Sequence, residues 1–154
     1  MFKRILVPID GSRTSNLGLA TAVRMAKSQR AALCILHVVD ESVVTRNVEA
    51  GAAMIDRLLV SLRESGEKTL DKAQAEVRKR GLRSKPVLVE SMLRSVADVI
   101  VGQAKKWRAD LIVMGTHGRR GITRVVMGSA AEGAVRISPV PVLLVRTGMR
   151  KGRR

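Results

Sequence analysis

Three glycines and a serine in the last third of the chain are spaced to handle an anion. Gly115 follows an apolar run that ends at Met114, Gly118 stands three positions further, and after nine more residues come Gly128 and Ser129. A residue without Cβ can adopt positive φ and lets a ligand reach the main-chain amides. A helix that starts near Ser129 would turn its unpaired N–H groups toward negative charge. The chemistry expected here is phosphate binding by backbone. Each residue also has a plainer use. Ser129 with Glu132 reads as a capping box, Gly115 as the end of a strand and Gly128 as the residue before a helix. Their joint spacing favours the phosphate site. Near the other end, Asp10-Gly11-Ser12 follows an apolar run. Read locally, it is ordinary turn chemistry. His117 has no Ser, Cys or carboxylate spaced as a catalytic partner, and His37 reads as a core or edge residue. Arg119, Arg120 and Arg124 lie between the glycines, as solvated surface or as help for a polyphosphate.

The elements that must position these residues alternate. Apolar, β-branched runs occur at Ile5-Leu6-Val7, Leu33 to Val39, Pro86 to Val89, Leu111-Ile112-Val113 and Val142 to Val145. Unbroken apolar runs suit strands covered on both faces. Between them, Leu19, Ala22, Val23 and Ala26 share a helical face, as do Leu70, Ala73 and Val77, and Val96, Val99, Ile100 and Trp107. A short helix fits Ala131, Ala134 and Val135. Asp40 to Ala52 shows no clear period and is expected to be a loop. The pattern predicts an α/β fold: an open five-stranded parallel sheet with right-handed crossovers and helices on both faces. In strand order 3-2-1-4-5, the ends of the first and fourth strands lie side by side, where ligands of such sheets bind. That would set Pro8 to Gly11 against Met114 to Gly118.

Composition bounds the partners. With 154 residues, 45% of them apolar, one domain is expected, with a core over residues 1–146 and a basic tail over 147–154. Net charge is +16, from 29 Lys and Arg against 13 Asp and Glu, so anions are drawn to the surface. A binder of nucleic acid or another polyanion is therefore the competing class. Phe2 and Trp107 are the only aromatics, which argues against a stacking platform for single strands. No apolar run is long enough for a bilayer, and Met1-Phe2-Lys3-Arg4 leads straight into a strand, so a cytoplasmic protein is expected. The lone Cys34 lies in the second strand and reads as a small buried hydrophobe. No P-loop, dinucleotide fingerprint or metalloprotease motif occurs.

Read together, KRILVPIDGS at the start and DLIVMGTHGRRGITRVVMGSAAEGAVRISPVPVLLV at the end resemble the universal stress protein family, over about residues 1–146 and most weakly between Asp40 and Gly81. The Gly-2x-Gly-9x-Gly-Ser spacing resembles that of the members that bind ATP. The resemblance implies that Asp10 holds the ribose or a phosphate-bound metal, that Pro8 and Val38 border the adenine, and that Met114 and Gly115 line the pocket. It also implies that Gly118, Gly128, Ser129 and the Ala130 amide cradle the phosphates, with Mg²⁺ as counter-ion. A homodimer through the strand Val140 to Val145 is implied as well. The expected role is a nucleotide-dependent regulatory or stress-resistance module, with ATP, AMP or cyclic AMP as the ligand and hydrolysis slow or absent. The chain departs from the family where a Gly-x-Pro turn commonly follows the third strand, because Glu90 to Ser95 stands there. It departs from related ATP-splitting synthetases at Asp10 to Arg13, where those carry a Ser-Gly-Gly-type loop.

Overall fold

Strand β1, Arg4–Pro8, runs through the middle of the molecule, and its Ile5, Leu6 and Val7 are fully buried. Successive side chains of a strand point to opposite faces, so a continuous apolar run requires a helical layer on each side. A computed structural model shows both layers and describes residues 1–45, 51–116 and 127–146. After β1 come α1 (Arg13–Gln29), β2 (Ala32–Asp40), a one-turn α2 (Ser42–Thr45) and the long α3 (Ala52–Lys79). Then follow β3 (Ser84–Ser91), α4 (Val96–Trp107), β4 (Leu111–Gly115), α5 (Ser129–Ile137) and β5 (Val142–Val145). The five strands form one sheet in the order β3-β2-β1-β4-β5, every pairing parallel. The parallel sheet expected from the apolar runs and the order 3-2-1-4-5 expected with it are both present.

Each strand divides its side chains between two cores. Ile5, Val7, Leu33, Ile35, Leu111 and Val113 face α1 and α3, packing with Leu19, Val23, Leu70 and Val77. Leu6, Cys34, Leu36, Ile112 and Met114 face α4 and α5, packing with Ile100, Trp107, Ala131 and Ala134. Burying a large aliphatic side chain is worth ~1.5–3 kcal/mol, so the central strands carry much of the stability.

Three details differ from the sequence reading. The stretch Asp40 to Ala52 is not one loop: Asp40 closes β2, Ser42–Thr45 forms a helical turn, and Ala52 already belongs to α3. Helix α3 has 28 residues. At ~1.5 Å per residue it overshoots the strands, and Gly66 is the first of its residues to be buried. Periodicity therefore showed only in its second half. Val135, placed on the core face of α5, is 47% exposed, whereas Ala131 and Ala134 are buried.

Burial pushes the Cys34 thiol up to about 11, against smaller opposing effects from the Lys85 charge, a hydrogen bond with Gln103 and the Arg4 charge. The native thiol is expected to resist an aromatic disulfide reagent at pH 8 and to react at once in denaturant, as followed by absorbance. The unfolded thiol titrates lower than the folded one. The folded state therefore holds more protons between the two values, and stability falls as pH rises from about 9 to about 11.

Candidate functional site

Strand order reverses between β1 and β4, which pair directly through Ile5 with Leu111 and Leu6 with Ile112. Beyond their carboxyl ends opens a crevice of about 1070 Å³, of the size class that holds small ligands. Every described residue that the family resemblance assigned to the ligand lines it. Pro8 and Asp10 come from β1 and its turn, Val38 from β2, and Met114 and Gly115 from β4. Gly128, Ser129 and Ala130 come from the start of α5. Gly118, His117, Arg119, Arg120, Arg124 and the segment 147–154 lie outside the described residues.

The turn after β1 is held by its own polar groups. Ser12 caps α1, its Oγ accepting from Ser15 N at 3.2 Å. Asp10 Oδ1 accepts from Ser12 N at 2.9 Å, and Asp10 N donates to Ser15 Oγ at 3.4 Å. Opposite, Thr116 N donates to Val145 O at 3.0 Å and Gly128 N to Thr116 O at 2.8 Å. The end of β4 and the approach to α5 are thus pinned together.

The α5 start differs from the capping-box reading. Gly128 is the N-cap, with φ −65° and no side-chain hydrogen bond, and Ser129 is already the first helical residue. The first intrahelical bond runs from Glu132 N to Gly128 O at 2.9 Å. The amides of Ser129, Ala130 and Ala131 precede that bond and have no partner within the helix. Helix dipole and free donors both favour an anion there.

Gly115 has a different reason from the one its position suggested. Positive φ among the described glycines belongs to Gly11 and Gly81. A Cβ at Gly115 would instead lie 2.7 Å from Thr14 C and 2.9 Å from Ser15 N. Its missing side chain lets α1 begin directly against the end of β4, which brings Ser15 to the crevice wall.

His37 is buried, and its Nδ1 lies 2.9 Å from Ile9 O, so that nitrogen carries the proton and donates to the carbonyl. It is a core residue, as expected, and it also reaches the crevice. Gly66 of α3 makes room for the ring, because a Cβ there would meet His37 Cδ2 at 2.7 Å.

Sequence reasoning missed one wall. Asp40 at the end of β2, Ser42 and Val43 after it, and Met92, Leu93 and Arg94 after β3 complete the rim. Asp40 is fixed by Ser42, whose Oγ donates to Asp40 Oδ1 at 2.6 Å. The signal was the position of both segments directly after strands. The unusual Glu90 to Ser95 segment supplies Leu93, which is 94% exposed at the mouth. Among the described charged residues that line the crevice, Asp10, Asp40 and Glu132 face a single cation, Arg94. No cluster of three His, Cys, Asp or Glu side chains fit to hold a metal occurs among the described residues.

An open parallel sheet with helices on both faces and a wide crevice over its reversal point defines a doubly wound α/β protein. Residues 1–146 match the universal stress protein family model. The chain belongs to the universal stress protein family. It is 34% identical over 151 residues to universal stress protein YxiE of Bacillus subtilis, covering 95% of this chain and 100% of that one. Among solved structures it matches protein MJ0577 with a TM-score of 0.81 and 26% identity, covering 97% of this chain and 99% of the other. A family member from Burkholderia pseudomallei gives a TM-score of 0.75 and 34% identity, covering 93% and 95%. Two more distant structures share the fold. A universal stress protein solved in complex with cAMP is 22% identical, with a TM-score of 0.67, covering 96% of this chain and 98% of its own. One from Archaeoglobus fulgidus in complex with dAMP is 20% identical, with a TM-score of 0.68, covering 93% and 97%. No helix among the described residues is long and apolar enough to cross a membrane.

Proposed function

We propose that the crevice binds an adenine nucleotide, ATP with Mg²⁺ foremost, and that the protein acts as a nucleotide-dependent regulatory module of the stress-protein type. The observation that carries this reading is the convergence of the β1 turn, the β4 end and the uncapped start of α5 on one cavity of about 1070 Å³. The glycine spacing in the sequence and the family relatives solved with cAMP and dAMP support an adenylate as occupant. In this reading Pro8 and Val38 border the base, Asp10 takes the ribose or a phosphate-bound metal, and Gly128, Ser129 and Ala130 hold the phosphates.

The charges on the wall bear on the metal. A polyphosphate brought beside Asp10, Asp40 and Glu132 needs a counter-ion, and Mg²⁺ bound through phosphate asks the protein for only one or two carboxylates. Asp10 fits that requirement, and no cage of three acidic, His or Cys side chains occurs among the described residues. Calorimetric titration with ATP, ADP, AMP and cyclic AMP, with and without Mg²⁺, tests the reading. ATP is expected to bind and to weaken when the metal is chelated, while AMP depends less on it. Absence of heat and of thermal stabilisation with all four nucleotides would remove the adenylate assignment and leave the fold untouched.

The same reading includes a homodimer through Val140 to Val145. Strand β5 is the sheet edge, and Leu143 on it is 37% exposed, with Val135 and Ile137 of α5 exposed as well. An apolar edge of this kind invites a second copy. Leu143→Lys is expected to shift the sedimenting species from dimer to monomer while the native circular-dichroism spectrum persists.

A further inference from the structure

Parallel crossovers bring the start of every strand and the ends of α1, α3, α4 and α5 to the side of the sheet opposite the crevice. In this chain that side is basic. Arg30, Arg80 and Arg108 are the C-caps of α1, α3 and α4. Lys3, Arg4 and Lys85 stand at the starts of β1 and β3. The last turns of the same helices add Lys27, Arg78, Lys79, Lys105 and Lys106. All of these side chains are exposed. Backbone bonds fix the ends to one another: Ala32 N donates to Lys3 O at 2.8 Å and Asp110 N to Arg4 O at 2.9 Å.

Among the described residues of the last helical turns and strand starts, the acidic ones are Glu76 and Asp110. They offset two of the eleven cations. Glu76 is paired with Lys79 at 2.9 Å, and the Asp110 carboxylate accepts from Lys3 N at 2.7 Å and Arg4 N at 3.0 Å. Helix dipoles account for a cation or so at each carboxyl end, and two further facts exceed that account. The described non-glycine residues with positive φ are Arg30 and Arg108, at 54° and 55°. Glycine takes that conformation without strain, whereas a side chain there costs ~1 kcal/mol, and both positions deliver charge to this one end. The opposite end is mixed: Asp10, Asp40 and Asp98 stand there with Arg13 and Arg94, and Glu90 and Glu132 are paired with Arg63 and Arg136 at 3.0 Å each, so the unbroken run of cations belongs to the crevice-distal end.

We infer that the crevice-distal end binds the phosphate backbone of double-helical nucleic acid without reading its sequence. From β3 to β4 the strand starts span about 14 Å at ~4.8 Å per strand, and a helix layer on each face adds ~10 Å. That area matches several phosphates of a duplex, which carries one negative charge per ~1.7 Å of axis. Single strands are held by stacking, and Trp107 at this end is buried beneath Arg4, whose guanidinium lies 4.6 Å from the ring centre. A membrane surface asks for apolar anchors. The exposed large apolar side chains lie elsewhere, Met1 and Ile137 apart. The end presents turns and helix carboxyl termini, so nothing enters a groove to read bases. Because the crevice lies at the other end, nucleotide and duplex bind at the same time.

The test titrates the full chain against a labelled 30-base-pair DNA duplex over 50–200 mM salt. The affinity is expected to fall steeply and linearly on logarithmic axes, with a slope of about −0.9 per neutralised phosphate. The triple variant Lys27→Gln, Lys85→Gln and Lys106→Gln, with one change on each of three elements, is expected to bind about ten-fold or more weakly with a shallower slope. The Lys→Arg triple restores binding. Thermal unfolding of the Gln triple within about 3 °C of the parent confirms that it is folded. Replacing Arg150, Lys151, Arg153 and Arg154 with Gln should change the affinity far less, because none of them belongs to the patch described above. The proposal is overturned if the tail variant loses binding and the Gln triple keeps it. It is overturned equally if single-stranded DNA or phosphatidylserine vesicles bind more tightly than the duplex, or if no duplex binding occurs at 50 mM salt.

Discussion

Gly115→Ala is expected to destabilise the protein by about 1–3 kcal/mol, through steric overlap with backbone that cannot move aside. The added Cβ would stand 2.7 Å from Thr14 C and 2.9 Å from Ser15 N, both in the first turn of α1. A flexible side chain could swing away from such a contact, but main chain moves only with its element. Two constraints resist that movement. Ser15 Oγ donates to Ser12 O at 3.0 Å and accepts from Asp10 N at 3.4 Å, and Gly115 is held by pairing with Val145 across β4 and β5. Relief therefore means lifting α1 from the sheet, against the burial of Leu19, Ala22 and Val23. For a chain of this length about 2–4 °C is lost per kcal/mol, so a fall in melting temperature of roughly 3–10 °C is expected by calorimetry. Gly18→Ala is the control. It lies on the same contact with its nearest approach at 3.4 Å, and its loss should be much smaller. Equal melting temperatures for the two variants would show that α1 does not begin against β4.

The parallel sheet was legible because Ile5 to Val7, Leu33 to Val39 and Leu111 to Val113 are apolar without alternation, as strands between two helical layers are; the strand order follows the common arrangement of such folds, and the structure has it. The crevice was legible for a related reason: once the order reverses between β1 and β4, topology alone sets Asp10 opposite Gly115. Local chemistry was harder to read. Ser129 and Glu132 have the spacing of a capping box, yet the chain enters α5 one residue earlier, at Gly128, where Thr116 O takes the Gly128 amide at 2.8 Å. A tertiary hydrogen bond thus displaced a local preference. Val135 follows the period of Ala131 and Ala134, yet it is 47% exposed on the helix that precedes the edge strand β5. Gly115 was legible as a necessary glycine, while its reason lay in α1, a hundred residues away in sequence, where no local pattern reaches. The Asp40 and Arg94 walls stayed hidden because the segments after β2 and β3 have no period of their own.

Asp10→Asn is expected to weaken ATP binding by about 10- to 100-fold while leaving stability nearly unchanged. Asp10 does two jobs that this substitution separates. Its Oδ1 accepts from Ser12 N at 2.9 Å and so shapes the turn that caps α1, and its charge faces the crevice. An asparagine keeps an acceptor oxygen for Ser12 but brings no charge to a ribose hydroxyl or a phosphate-bound cation. A hydrogen bond to a charged group contributes ~1.5–3 kcal/mol, which sets the expected loss. Asp10→Ala should lose the affinity and also unfold at lower temperature, because the Ser12 amide then has no carboxylate at the head of α1. Calorimetric titration with ATP in the presence of Mg²⁺ gives the first quantity and thermal unfolding without ligand the second. If the asparagine variant binds like the parent while the alanine variant melts early, Asp10 is a turn residue alone. The phosphates and ribose would then be held from the α5 side, by the open amides of Ser129, Ala130 and Ala131.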